Sequence, residues 1–314
     1  MTALSVIVPS LGRSPWQREM LAALRAELAG QPAELIWVHQ GDAPAPVLSG
    51  GREHFVRLPH AAGFAVAANF GLVAADSKST AIAIVNDDLI VEPGWLAALV
   101  GELDRRPRAA AVQGVHLELA RPQVVEGCGL GWNRSWQAVQ ICAGDPPPAA
   151  TAPAFELFGV SATAAIYRRE ALDAVAGFFD ERLGSYYEDV ELAVRLREAE
   201  WESWCVPAAR ARHAGQATSG RAPLARWRSI YRNRLLVLRR LLGGEFAAAL
   251  PQLAARDTRD LLRAALRLDL SRALGVFLGW STAVPRLAAF SPARAAGSRR
   301  ALAAAERFRI GSAA

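Results

Sequence analysis

Lysine is almost missing from this chain of 314 residues: Lys78 is the only one among 36 basic residues. The basic charge is therefore arginine. With no zinc-finger spacing and no RNA-binding aromatic motif, nothing supports a nucleic-acid partner. Cysteine is also scarce. Cys128, Cys142 and Cys205 form an odd set without a CxxC pair, which excludes a disulfide framework and favours a reducing compartment. Each reads as a small buried apolar residue. Long hydrophobic runs are absent. The longest near the C-terminus, Ala273 to Val284, has 12 residues, too few to span a bilayer. The opening Met1-Thr2-Ala3-Leu4 has no basic segment of the signal-peptide kind, so the expectation is a cytoplasmic protein. No GxSxG occurs, which removes the main support for a Ser-His-Asp hydrolase.

What is present points to an α/β protein. Hydrophobic residues make up 52%, enough to build a sizeable core and to exclude wholesale disorder. Short β-branched runs at Leu4–Pro9, Ala33–Val38, His54–Leu58, Ala81–Val85 and Ala109–Gln113 alternate with helical spacing at 16–28, 63–75 and 95–104. That alternation predicts a mostly parallel sheet covered on both faces, with ligands beyond the carboxyl ends of its strands. Residues 144–153 (GDPPPAATAP) predict a mobile loop near the active site. Strand character returns over 155–167, helix over 168–175 and 188–199, and strand over 205–211. From Pro223 onward, Arg- and Leu-rich helices replace strands. The domain boundary is expected near residue 221. Residues 222–314 carry 17 arginines and five acids, a net +12, leaving −6 on residues 1–221. Such asymmetry suits a C-terminal region facing an anionic surface.

Two acidic pairs carry the chemistry. Asn86-Asp87-Asp88 follows the strand AIAIV directly, where carboxylates suit a hard divalent cation and a diphosphate. A turn or a helix cap is the plainer reading of that tripeptide. Glu188-Asp189 opens a helical segment after Ser185-Tyr186-Tyr187. Capping would explain acids there. The flanking aromatics, however, would partly desolvate a carboxylate and make it a plausible general base. The same helix has a surface pair of its own, Glu191 with Arg195. A lone histidine is most often structural or merely exposed, but His213, near Gly215 and after the strand-like 205–211, could reach a metal or a phosphate.

In order, these elements resemble the family 2 glycosyltransferases with the GT-A fold, over roughly residues 3–220. Ser5-Val6-Ile7-Val8-Pro9-Ser10 resembles the family's first strand and nucleotide-binding turn. Gly63-Phe64-Ala65 and Ala68-Asn69-Phe70-Gly71 resemble the pattern beside the nucleotide. Asn86-Asp87-Asp88 with Pro93-Gly94-Trp95-Leu96 resembles the DxD-type metal motif. Gly177-Phe178-Phe179-Asp180-Glu181, then Tyr187-Glu188-Asp189-Val190-Glu191-Leu192 and Arg195, is similar to the acceptor-side block of a rhamnosyltransferase-like branch acting on bacterial cell-surface polysaccharides. Arg232-Asn233-Arg234 resembles a segment that follows the catalytic domain in that branch.

The resemblance implies a GT-A sheet flanked by helices, with a catalytic domain over 1–221 and a helical extension over 222–314. It implies an inverting transfer of a sugar from a nucleotide-sugar donor to a saccharide or lipid-linked saccharide acceptor. Asp189 would be the base, and Glu188 would orient the acceptor or the loop. Pro9, Ser10, Gly63, Asn69, Asn86 and Asp87 would lie along the donor. Asp88 and His213 would hold Mg²⁺ or Mn²⁺. One departure is plain. Where the family has an Asp-Asn-Gly-Ser-like turn after the second strand, this chain has His39-Gln40-Gly41-Asp42, which leaves the base of the donor open. Two alternatives are a nucleotidyltransferase acting on sugar phosphates, for whose Gly-rich phosphate loop only Gly12-Arg13 stands, and a non-catalytic sugar-nucleotide or polysaccharide-binding scaffold.

In the C-terminal region Arg256, Arg259, Arg263 and Arg267 recur along one helical face with Leu262, Leu266 and Leu270 between them. Either this helix packs on the catalytic domain with a solvated basic face, or it meets a membrane. The apolar segment ALGVFLGW that follows favours peripheral contact with the inner face of the cytoplasmic membrane.

Overall fold

The computed structural model describes residues 3–215, 223–290 and 295–310. In chain order the first part runs β1 (Leu4–Ser10), α1 (Gln17–Leu28), β2 (Ala33–Gln40), β3 (Glu53–Leu58), α2 (Phe64–Ala74), β4 (Ala81–Val85), β5 (Leu89–Val91), α3 (Trp95–Arg105) and β6 (Ala109–Glu118). It continues with β7 (Arg121–Gly127), β8 (Leu130–Asn133), β9 (Ala138–Gln140), β10 (Phe155–Leu157), β11 (Ala164–Arg168), α4 (Arg169–Ala174), α5 (Glu188–Glu198) and β12 (Glu202–His213). The last part is α6 (Pro223–Leu242), α7 (Phe246–Leu266), α8 (Leu270–Ala283), α9 (Ala295–Arg307) and β13 (Arg309–Ile310).

Strands β1 and β4 are buried at every position, as apolar runs must be when helices cover both sides. The main sheet has the order β10-β12-β6-β11-β4-β1-β2-β3, with β5 on β12 and β7 on β6. Along this path only β10 and β11 run against the others, so the sheet is mixed and mostly parallel. One core layer packs Ala65, Ala67 and Ala68 of α2 on Ile7 and Val38, and the other packs Met20, Leu24, Trp95 and Leu99 of α1 and α3. Gly71 lets α2 lie close to β1, because a Cβ there would stand 2.3 Å from Ile7 Cγ2. No helix among the described residues is long and apolar enough to cross a membrane.

Several sequence expectations need correction. Residues 155–167 are not one strand: β10 and β11 are separated by residues 158–163. Strands do not vanish after Pro223, since β13 pairs with β8 beside β9 in a second small sheet. The Glu191–Arg195 pair forms, at 2.8 Å, but Glu191 is buried; Arg240 of α6 approaches it at 3.4 Å, so it is a core pair rather than a surface one. The arginine stripe is cut by the end of α7 at Leu266, which leaves Arg267 at its C-cap. The three free cysteines, remote in sequence, gather in one apolar cluster, where Cys128 and Cys205 are buried. The 144–153 loop is irregular as expected and is tied down by Gly144 N–H to Val125 O (2.8 Å) and by Arg210 to Pro148 O (2.7 Å). The boundary expected near residue 221 lies outside the described residues.

The C-terminal helices are joined to the sheet domain through a third cluster that packs Leu235, Leu238 and Leu241 of α6 against Leu130, Trp132, Phe158 and Val194. α8 lies on α6 at close range. A Cβ on Gly275 would sit 2.4 Å from Trp227 Cβ, and one on Gly279 would sit 2.6 Å from Tyr231 Cβ.

Candidate functional site

The parallel directions of β1, β4 and β12 bring Ser10, Asn86-Asp87-Asp88 and His213 to one edge of the sheet, at the strands' carboxyl ends. Pro9 is buried in β1 opposite Val38, and Ser10 ends the strand. Ser10 Oγ donates to Asp87 Oδ2 at 2.5 Å and accepts from Gly12 N–H at 2.9 Å. Gln17 Nε2 donates to the same Asp87 oxygen at 3.3 Å. Burial raises the Asp87 carboxyl to about 6; the Ser10 bond opposes the rise and the Asp88 charge adds to it.

His213 lies between two carboxylates. Its Nε2 is 3.0 Å from Asp88 Oδ1 and its Nδ1 is 2.7 Å from Glu126 Oε2. Burial alone would lower the imidazole, but the bonds to Asp88 and Glu126 outweigh it and bring His213 to about 10. Both ring nitrogens thus face a carboxylate, and the two acids favour the charged form of the ring. His116, close by and fully buried, goes the other way, to about 4, chiefly through desolvation.

The second acidic pair is held with similar care. Asp189 accepts from Val190 N–H at 2.8 Å and from Ala162 N–H at 3.2 Å. Glu188 is buried, and its Oε2 has no hydrogen-bond partner among the described residues. Burial, then the Asp189 charge, pushes the Glu188 carboxyl well above the usual range. Burial raises Asp189 too, against its backbone donors. Of the two, Asp189 is the member whose charged form is favoured by backbone donors. The two acidic pairs meet at adjacent residues, because Asn86 N–H donates to Thr163 O at 2.9 Å while Ala162 N–H holds Asp189.

The loop before α5 is strained and clamped. Tyr186 and Tyr187 have φ of 71° and 69°, a left-handed region unfavourable for a tyrosine. Asn233 of α6, fully buried, points Nδ2 at the carbonyls of Tyr186 (2.6 Å), Leu183 (2.9 Å) and Ser185 (3.1 Å). Arg232 adds a bond to Leu183 O at 2.8 Å. Arg232 and Asn233 of the motif are thus the clamp on the segment that carries Glu188 and Asp189, while Arg234 pairs with Asp257 of α7 at 2.5 Å. The Gly63 and Asn69 block meets the same segment. Asn69 Oδ1 accepts from Phe179 N–H at 3.0 Å, and its Nδ2 donates to Phe179 O at 2.9 Å and Glu181 Oε1 at 3.0 Å. Ala65 N–H donates to Gly184 O at 2.8 Å. Gly63 has φ 100°, and a Cβ there would lie 3.2 Å from Gly184 O.

Gln40, in the departing turn, also has a task. Its Oε1 accepts from Ala62 and Gly63 N–H at 3.0 and 3.2 Å. His39 is buried and bonded to Ala43 O at 2.8 Å, whereas the Asp42 side chain is 97% exposed beside Arg57. Sequence reading missed Glu126, Gln17 and the role of Gln40. For Glu126, the Val124-Val125 pair is the only local hint of the strand β7 that carries it.

Residues 5–175, more than half of the chain, match the family model described as Glycosyl transferase family 2. Two relatives in Mycobacterium tuberculosis (strains CDC 1551 / Oshkosh and ATCC 25618 / H37Rv), each an N-acetylglucosaminyl-diphospho-decaprenol L-rhamnosyltransferase, are 29% identical over 161 residues, 45% of this chain and 49% of theirs. The chain spans about half the length of the curated relatives it matches. GalNAc-T7, crystallised with UDP, GalNAc and Mn²⁺, superposes with a TM-score of 0.58 at 14% identity, over 76% of this chain and 48% of that one. The mannosyltransferase PcManGT from Pyrobaculum calidifontis, in complex with GDP-Man and Mn²⁺, gives 0.52 at 17% identity, over 92% and 85%. At these identities the likeness is one of fold, and the fold is GT-A.

Proposed function

Because the chain belongs to glycosyl transferase family 2, we propose that it is an inverting glycosyltransferase of bacterial cell-surface polysaccharide or glycolipid synthesis, moving a sugar from a nucleoside-diphosphate sugar to a hydroxyl of a saccharide or lipid-linked saccharide. The observation that carries the reading is the meeting of the two acidic pairs at Ala162-Thr163. One pair suits the leaving diphosphate and the other suits the attacking hydroxyl.

Asp189 is the general base. Its charge is kept by two backbone donors, and its raised carboxyl makes it a better proton acceptor than an exposed aspartate. Glu188 keeps its proton and so adds no second negative charge beside the hydroxyl being activated. On the donor side, Pro9 and Ser10 end the strand under the nucleotide, and Asn86 and Asp87 face the diphosphate. Gly63 brings bare backbone near, while Asn69 acts by holding the 179–181 turn.

Among the described residues no group of three or more His, Cys, Asp or Glu side chains forms a complete metal cage. Asp88 and His213 still fit Mg²⁺ or Mn²⁺. Asp88 and His213 Nε2 would hold the cation once the Nε2 proton has left to solvent, with Glu126 fixing the ring through Nδ1. The donor's phosphates would supply further ligands, as is usual for Mg²⁺. When bound, such a cation neutralises the charge on the leaving diphosphate.

Membrane contact belongs to the same reading. The tip formed by the end of α7 and the start of α8 leaves Leu266 and Leu268 more than four-fifths exposed, with Leu262, Leu270 and Phe277 also exposed and Arg263 and Arg267 beside them. Exposed apolar side chains with arginines close in sequence, and Asp269 as the one acid among them, suit insertion at an anionic lipid surface. Neither the nucleotidyltransferase nor the scaffold alternative gains support from a specific observation. Hydrolysis of a panel of nucleotide sugars, with and without Mn²⁺ or Mg²⁺, tests the proposal. Turnover is expected only with metal, and turnover of equal rate without it would remove the role of Asp88.

A further inference from the structure

A cavity of about 430 Å³ opens between α7 and the turn that joins β8 to β9, lined by Ser135, Arg256, Arg259, Asp260 and Arg263 among others. Arg256, Arg259 and Arg263 share a helical face by their spacing. Arg256 is half-buried and fixed in place: it donates to Gln137 Oε1 at 2.5 Å and to Ser135 O at 3.4 Å, and it stands 3.7 Å from Asp260. Asp260 accepts from Tyr231 at 3.1 Å and has Arg272 at 3.8 Å, so one carboxylate is divided between two guanidinium groups. Arg259 and Arg263 have no carboxylate partner among the described residues. The concavity thus has a surplus of forked donors, the arrangement that fits phosphate oxygens.

Its place in the fold narrows the ligand. The turn beneath the cavity is gripped by Tyr187, whose hydroxyl accepts from Ala138 N–H at 3.3 Å, and Tyr187 directly precedes Glu188 and Asp189. In the other direction, Arg263 is three residues from Leu266, a rise of about 4.5 Å along α7, where the exposed apolar tip begins. The cavity is thus tied through Tyr187 to the segment that carries the proposed base, and through α7 to the proposed lipid-facing tip. We propose that it binds the diphosphate of a lipid-anchored acceptor, with the sugar directed toward Asp189 and the lipid leaving along the tip. This rests on the transferase reading and names the acceptor's chemical class.

Inorganic pyrophosphate is the probe, titrated calorimetrically into the whole protein at low salt with EDTA, so that no metal supports binding at the donor side. Arg259→Gln/Arg263→Gln should weaken binding at least tenfold. Ala255→Glu, which adds a carboxylate to the cavity and keeps every arginine, should do the same. Arg267→Gln, outside the cavity, should bind as the parent does. Equal affinity in the parent and in both cavity variants overturns the proposal. So does a double variant that binds pyrophosphate normally but leaves phosphatidylglycerol vesicles, because the arginines would then serve lipid headgroups. Nucleotide-sugar hydrolysis by the unaltered protein is measured in parallel. Its absence beside intact pyrophosphate binding sinks the transferase reading and with it the acceptor assignment, whereas its presence beside absent binding sinks the cavity proposal alone.

Discussion

Asn233→Ala removes the donor that holds the loop in front of α5. One amide has two hydrogens and three carbonyls in reach, and Arg232 already covers Leu183 O. The truncation therefore orphans the carbonyls of Ser185 and Tyr186. Two acceptors losing their partner in a packed setting cost about 2 kcal/mol in all. For a chain of this size that is a fall of about 3 °C in the unfolding midpoint. The kinetic consequence is larger. Tyr186 and Tyr187 each hold a left-handed backbone that costs roughly 1–3 kcal/mol, and without the clamp they relax. Asp189 is two residues further on, and a shift of about 1 Å in a reacting group can cost about 10²-fold. Thermal unfolding and steady-state sugar transfer on the same preparation would show a drop of that order in kcat, with donor KM little changed because Asp88 and His213 lie on other elements. A variant that loses stability but keeps full kcat would refute the claim that the clamp positions the base. A variant with undiminished stability would refute the clamp itself.

Glu188→Gln should stabilise the protein at neutral pH by about 1–3 kcal/mol, since it removes a buried carboxyl without a full set of partners. The raised carboxyl means that the folded state binds more protons than the unfolded one above about pH 4, so native stability falls as pH rises from there. The gain should be absent near about pH 4 and grow toward about pH 8 in thermal unfolding; a gain equal at every pH would count against the assignment. Leu268→Ser/Phe277→Ser should abolish sedimentation with phosphatidylglycerol vesicles, because each apolar side chain contributes about 1.5–3 kcal/mol when buried. Sedimentation as for the parent would speak against insertion of the tip. Gly279→Ala places a methyl group 2.6 Å from Tyr231 Cβ and should cost about 1–3 kcal/mol by calorimetry; a neutral result would mean that α6 and α8 separate freely.

Much of the fold was legible because the buried strands are apolar throughout, and runs such as AIAIV have no other reading between turn signals. Asn86-Asp87-Asp88 and Glu188-Asp189 stood out for the same local reason, being charges where the flanking pattern is apolar or aromatic. What escaped depends on distance in the chain. Glu126 matters only because β7 pairs with β6, next to β12, and its own segment is half exposed. Gln40 looked like a departure from the family pattern, yet its use is a clamp on a turn 22 residues away. Asn233 was visible as a motif, but its task became clear only where α6 crosses the strained tyrosines. The Glu191–Arg195 spacing suggested a solvated pair. α6 covers it, and nothing in the helix's own sequence announces that neighbour.

The most direct test of the central claim is sugar transfer by Asp189→Asn with a nucleotide-sugar donor and Mn²⁺, with donor binding followed in the same samples. Loss of the base should lower the rate by roughly 10²–10⁴-fold and leave donor affinity in place. Transfer at the parent's rate would contradict the assignment of Asp189, and with it the mechanism built on the two acidic pairs.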